Sequence, residues 1–205
     1  MSLTFYYAPM STATVSQLVL EELDLPCEKI KVDIKAGGSH TPEYLRLNPN
    51  GKVPMLVHDG EPIWESAAIT LYLGDVFGVD KGLFPEAGPH RGVAMKWIAW
   101  SNVTLGDAVR HWLRNSSEQT PADQRNAKAG EVGLAEVHNC LRILDEALEG
   151  REFLGADYSL ADTHLHSFTD WLHFLKVDFT PYAHINVWSD RCRARPAYGR
   201  VMSQM

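Results

Sequence analysis

Residues 48–73 read NPNGKVPMLVHDGEPIWESAAITLYL, and the fold turns on this stretch. Asp59-Gly60 separates two apolar runs, the strongest short-range signal for a β-hairpin. Pro54 opens the first run and has no N–H to give a ladder, so it stands at a sheet edge, a bulge or a cis turn. A cis bond there would leave the backbone of Val53 free to pair with an extended peptide. Past the hairpin, Glu65-Ser66 opens a segment with helical spacing at Ala68, Leu71 and Tyr72. A carboxylate, a hydroxyl and unpaired helix-start amides gather at that point, a set that suits the ammonium and carboxylate ends of an amino acid and equally suits a plain N-cap.

Working outward, LTFYYA reads as a strand, STATVSQLVLEELDL as a helix and CEKIKVDI as a second strand. Thr41-Pro42 then caps a short helix, TPEYLRL. Residues 1–77 thus have the order β-α-β-α-β-β-α, with Tyr6 and Tyr7 on opposite faces of the first strand. Residues 78–88, GVDKGLFPEAG, break both periodicities and read as a linker. From 89 to 205 the pattern is helical. Gly88-Pro89 starts a long helix, Thr120-Pro121-Ala122-Asp123 opens another, and Leu134, Val137, Leu141, Leu144 and Leu148 form a core-facing stripe. Ser159-Leu160-Ala161-Asp162 caps a helix running through Trp171, and HINVWSDRCRARPAY predicts a last helix stopped near Pro196. The class is α/β plus all-α.

The chain has 205 residues, 45% of them apolar, which is enough for buried cores in two small domains. No apolar run approaches the roughly 20 residues that span a bilayer, and the N-terminus lacks signal-peptide character, so no membrane association and a cytoplasmic location are expected. Cys27, Cys140 and Cys192 form neither a C-x-x-C pair nor a ligand cluster and read as reduced structural thiols. A net charge of -7 speaks against nucleic acid as a partner. Asp162, His166, Asp170 and His173 share a helical face, but such a set is more often polar surface or capping than a metal site, and no metal is expected.

NPNGKVPML followed by ESAAITLYL resembles the glutathione-site signature of the cytosolic glutathione transferases. The resemblance continues through YAPMSTATVSQLVLEEL, FLGADYSLADTHL and VWSDRCRARPAYGRV, leaving only the region from about Trp97 to Glu131 undistinctive. It implies a thioredoxin-like first domain, a helical-bundle second domain and a homodimer. It also implies glutathione as co-substrate with no permanently bound cofactor, and conjugation of its thiolate to small, partly apolar electrophiles. On the same resemblance Pro54 is a cis proline, Val53 pairs with the cysteinyl backbone, Glu65 and Ser66 hold the γ-glutamyl end, and Lys52 with His40 faces the glycine carboxylate.

Classes of this family place Tyr, Ser or Cys near the end of the first strand. The run Ser11-Thr12-Ala13-Thr14 looks like the serine-type classes, which puts Ser11 in the catalytic position, with Thr12 and Tyr6 as alternative hydroxyl donors. Ser11 as an ordinary N-cap needs the same geometry. Lowering a thiol pKa from about 8.5 by about two units requires roughly 2.7 kcal/mol, close to one charged hydrogen bond of about 1.5–3 kcal/mol. A neutral hydroxyl therefore suffices, without a base. Met10, Val109 and Trp112 are candidates to line an electrophile pocket, with core packing the rival reading, and Asp107 is a candidate to reach a partner subunit's ligand. Other glutathione-dependent activities on the same scaffold (peroxidase, dehalogenase, disulfide reductase) and a noncatalytic glutathione-binding module are the competing functions. The absence of cysteine near residue 11 argues against disulfide reduction.

Overall fold

In the computed structural model, which describes residues 2–204, the alternating patterns of the first part become seven elements. They are strand β1 (Leu3–Tyr7), helix α1 (Ala13–Glu22), β2 (Glu28–Lys31), α2 (Pro42–Leu47), β3 (Met55–His58), β4 (Glu61–Trp64) and α3 (Ser66–Leu73). The hairpin between β3 and β4 turns on Asp59 and Gly60, both at positive φ, 48° and 92°. The sheet order is β2-β1-β3-β4, with β1 parallel to β2 and antiparallel to β3. Phe5 lies opposite Leu56, which lies opposite Ile63. Strand alternation sends Phe5 and Tyr7 to the main core and Tyr6 to a smaller cluster with Val32, Tyr44 and Met55.

The rest is helical: α4 (Pro89–Trp100), α5 (Gly106–Ser116), α6 (Ala127–Leu148), α7 (Leu160–Phe174), α8 (Ala183–Arg193) and α9 (Pro196–Met202). Pro89 occupies the first turn of α4, where its missing N–H costs nothing. A π-helical turn at Ser101–Leu105 joins α4 to α5. On α6 the expected stripe is buried at Val137, Leu141, Leu144 and Leu148, while Leu134 is half-buried.

Two expected boundaries move. Residues 122–124 make only a short 3-10 turn, and α6 begins after Asn126, whose side chain accepts from the Ala129 N–H at 3.1 Å. Asn126 has the extended backbone that an N-cap needs, so the helix starts there. Pro196 does not end the last helix; it sits in the first turn of α9. The proline blocks continuation of α8 and is at the same time suited to begin a new helix.

Ser159 and Asp162 form the expected capping box. Asp162 also accepts from the Leu154 N–H and from Trp188 Nε1, each at 2.9 Å, so one fully buried carboxylate joins three segments. Asp170 is held by Arg193 and Tyr198, both at 2.8 Å, while His166 meets the edges of Trp188 and Tyr198 and His173 stacks on Phe179. The polar stripe of α7 is thus given over to tertiary packing. Among the described residues no group of three or more His, Cys, Asp or Glu side chains is placed to hold a metal ion. The two halves share one core, running from Phe5 and Val19 through Ile98 and Leu165 to Trp188. At its rim Arg195 grips Glu22 with two hydrogen bonds of 2.6 and 2.7 Å while lying over the Tyr158 ring at 3.6 Å. Among the described residues no helix is long and apolar enough to cross a membrane.

Candidate functional site

The loop that leads into β3 is held by a clamp on one carbonyl. Tyr44 Oη and Asn48 Nδ2 each donate to the Lys52 carbonyl at 2.7 Å, and Asn48 Oδ1 accepts from the Asn50 N–H at 3.0 Å. Asn48 is almost wholly buried, so its side chain replaces backbone pairing that an irregular loop would otherwise lack. Gly51 takes a positive φ of 61°, and the His40 ring lies against it so closely that a Cβ there would stand 2.9 Å from Nε2. The Val53-Pro54 bond is cis, as expected. Sequence reasoning missed Tyr44 and Asn48; the NPNG turn was the available signal.

Across the hairpin, Glu65 precedes α3 with φ 72°, ψ 121°, and its exposed side chain makes no cap. Ser66, the first helical residue, is buried and accepts from Asn102 Nδ2 at 2.9 Å. Asn102 belongs to the π-turn between α4 and α5, in the stretch where the sequence carries no distinctive motif.

After β1 the chain turns through Met10 at φ 54°. The Ser11 hydroxyl donates to the Ala8 carbonyl at 2.7 Å and accepts from the Ala13 N–H at 3.2 Å, so both of its bonds close the turn. Thr12 caps α1 by position and is exposed, with its hydroxyl 3.4 Å from the Val53 carbonyl. Tyr6 packs edge-on to Tyr44 among the smaller cluster and is absent from the cavity walls.

Two cavities meet along Thr12, Phe168 and Trp171. A cleft of about 730 Å³ is lined by Thr12, Lys52, Val53, Pro54, Glu65 and Ser66 on one side and by Asn102, Val109, Arg110 and Arg114 on the other. A mostly apolar pocket of about 190 Å³ runs between α1 and α7, lined by Met10, Ser11, Thr12, Phe168, Trp171 and Phe174 among others. Seven of the residues singled out from sequence, Val109 among them, therefore share one cleft. His40 stands behind it, against Gly51. Val109 lines the polar cleft rather than the apolar pocket. Trp112 belongs to neither: it packs against the main core and lines a separate hollow between α5 and α6, where Gly133 lets the α5 backbone come close. Asp107 is exposed in the first turn of α5 and pairs with Arg110 at 2.9 Å. The three cysteines are free thiols outside both cavities, and burial pushes Cys27 up to about 11 and raises Cys140 and Cys192 as well.

Comparison with known proteins places this geometry. The glutathione S-transferase N-terminal domain family matches residues 1–75 and the glutathione S-transferase C-terminal domain family residues 116–196. The chain is 32% identical over 188 residues to glutathione S-transferase GstB of Escherichia coli (strain K12), covering 90% of this chain and 89% of that protein. It is 30% identical over 207 residues to the disulfide-bond oxidoreductase YfcG of the same organism, covering 96% and 93%. Among solved structures, the theta class glutathione S-transferase of Xanthomonas axonopodis pv. citri with glutathione bound superposes with a TM-score of 0.86 at 28% identity, covering 97% and 96%. With both domain families matched in order along one chain, and full-length relatives on either side of 30% identity, the protein belongs to the cytosolic glutathione transferase family.

Proposed function

We propose that the protein binds glutathione in the polar cleft, stabilises its thiolate and conjugates it to small electrophiles whose apolar body occupies the pocket between α1 and α7. The observation that carries this reading is the convergence of Thr12, Val53, cis-Pro54 and Ser66 on one cavity, with an apolar pocket opening at Thr12. A cysteinyl residue paired with the Val53 backbone puts its sulfur beside Thr12, whose hydroxyl is free of the turn bonds that engage Ser11. We therefore assign thiolate stabilisation to Thr12 at the start of α1 and give Ser11 the part of holding that start in place. One charged hydrogen bond of about 1.5–3 kcal/mol and a helix N-terminus worth about 0.3–1 kcal/mol suffice for a two-unit lowering of the thiol pKa. Lys52 serves the glycine carboxylate and Glu65 the γ-glutamyl ammonium. The test is calorimetric titration with glutathione followed by a panel of aryl halides, enones, peroxides and disulfides. Binding without any turnover would leave a noncatalytic binding module.

A second reading, disulfide exchange, is favoured by the 30% identical relative named a disulfide-bond oxidoreductase and by the surplus of cation in the cleft, where Lys52, Arg110 and Arg114 outnumber Glu65. No cysteine lines the cleft, so both thiols would be glutathione. The first glutathione thiolate attacks one substrate sulfur and expels the other as a thiolate; the second attacks the glutathione sulfur of the mixed disulfide, expels the remaining substrate thiolate and leaves glutathione disulfide. Reduction of a small disulfide with no conjugation to any electrophile would select this reading.

A homodimer goes with either reading. Trp64 on the edge strand, Met95 on α4 and Val103 in the π-turn are exposed apolar side chains available to a second copy. Asp107 would lie near that interface. A monomer mass by light scattering at micromolar concentration would count against it.

A further inference from the structure

From Ser66 runs a largely buried chain of hydrogen bonds that begins and ends on α3, with only Asn102, beyond Ser66 itself, reaching the cleft wall. Asn102 Nδ2 donates to Ser66 Oγ at 2.9 Å, Asn102 Oδ1 stands 2.6 Å from His164 Nε2, and His164 Nδ1 stands 2.8 Å from Thr70 Oγ1. Ser66 and Thr70 are one helical turn apart, and the two residues that bridge them come from the π-turn after α4 and from α7. Thr70 and His164 have no exposed surface. A π-turn shifts the residues after it around the helix axis, and such turns concentrate at functional sites; here it is the segment that delivers Asn102 to Ser66.

The chain has a direction. Asn102 presents its amide nitrogen to Ser66 and its oxygen to the histidine, so His164 Nε2 carries a hydrogen and donates it. Burial pushes His164 down to about 3, so the ring is neutral and Nδ1 is an acceptor. Thr70 must then donate to Nδ1. Every donor points the same way, from Thr70 through His164 and Asn102 to Ser66. The Ser66 oxygen is taken by Asn102, and its own hydrogen is left for the cleft that Ser66 lines.

We infer that Thr70, His164 and Asn102 are positioning residues that preset the Ser66 hydroxyl as a donor, so that the cleft selects a carboxylate at this point rather than an amide N–H or an ammonium. The inference rests on the glutathione reading for the identity of that carboxylate, the α-carboxylate of the γ-glutamyl group. A purely structural tie between the halves would need no direction. A directed relay does, since reversing it would turn Ser66 toward Asn102 and leave only lone pairs facing the ligand.

Two measurements test it. The first needs no ligand: nitrogen-15 NMR of the histidine rings in the free protein should show His164 as the Nε2–H tautomer. The Nδ1–H tautomer would overturn the inference. The second compares glutathione with its analogue in which 4-aminobutanoyl replaces γ-glutamyl, which lacks only the α-carboxylate. Asn102→Asp puts an acceptor against Ser66 and a negative charge near the ligand, and should weaken glutathione about ten- to a hundredfold while changing the analogue less than about threefold. Thr70→Val, nearly isosteric, should lose a smaller part of the same selectivity, and Thr70→Ser should restore it. Equal losses for both ligands would reduce the chain to scaffolding and overturn the relay. A wild-type protein that binds neither ligand would instead defeat the glutathione reading, and the tautomer measurement would still decide the direction of the chain.

Discussion

The Ser11 hydroxyl donates to the carbonyl of Ala8 at 2.7 Å, which binds the first hydroxyl after β1 to its own turn. Thr12, one residue on, is left facing Val53. Thr12→Ala should therefore raise the pKa of the bound thiol by about one to two units and lower turnover near neutral pH about ten- to a hundredfold, with Thr12→Ser restoring most of it. Ser11→Ala should cost about 0.5–2 kcal/mol of stability, as loss of a helix-start bond does, and leave the pH profile in place. Thiolate absorbance followed against pH separates the two; a shifted profile in Ser11→Ala alone would return the role to Ser11.

Tyr44 and Asn48 act on the same acceptor, the Lys52 carbonyl. Tyr44→Phe and Asn48→Ala should each weaken glutathione about three- to tenfold by loosening the loop before Pro54, and the double variant should lose less than the product because the two share one oxygen. Burial pushes the Tyr44 phenol up to about 12, so it stays a donor throughout the working range and binding should show no loss from Tyr44 ionisation up to about pH 10. Calorimetry between pH 6 and 10 checks both points.

Phe174 lines the apolar pocket and is absent from the polar cleft. Phe174→Ala should raise KM for apolar electrophiles about three- to tenfold, the scale of a partly buried aromatic contact, with glutathione affinity unchanged. A parallel fall in glutathione affinity would show that the two cavities are not separate subsites.

His166 is enclosed by Trp188 and Tyr198, and its Nε2 has no hydrogen-bond partner. Desolvation first, with opposing effects from Asp170 and Arg193, holds it down at about 4, against an ordinary value of 6.5. At His166 the unfolded chain thus binds a proton that the folded one does not between those values, so its contribution to stability is full above pH 6.5 and is lost as the pH falls toward 4, at up to about 1.4 kcal/mol per unit, and buried His164 adds a loss of the same sign. His166→Phe should reduce this loss by the His166 share, leaving that of His164. Urea midpoints at pH 7, 5.5 and 4.5 test it; an unchanged slope would assign acid lability elsewhere.

Gly133 on α6 faces the α5 backbone, where a Cβ would stand 2.5 Å from the Trp112 nitrogen and 2.7 Å from its Cα. Gly133→Ala cannot be absorbed by a side-chain rotation and should destabilise by about 1–3 kcal/mol despite alanine's better helix propensity. Thermal unfolding would show a midpoint lowered by about 2–4 °C per kcal/mol.

What the sequence determined by itself was what neighbouring residues decide among themselves. Asp59-Gly60 makes the hairpin because both turn positions need positive φ, Ser159 and Asp162 cap α7 because they stand three residues apart, and Pro89 starts α4 because it lacks an N–H. The family motif added the choice of cis for Pro54 among an edge, a bulge and a cis turn. The tertiary structure alone decided which hydroxyl looks across the cleft, since successive helical residues point about 100° apart and Thr12 meets Val53 over a separation of 41 residues. It decided likewise that Trp112 joins the core and lines a separate hollow, that Asn102 reaches back 36 residues to Ser66, and that His164 lies against Thr70 from 94 residues away. Such contacts leave no local pattern, because a buried asparagine or histidine is chosen to satisfy a polar atom that another part of the chain brings to it.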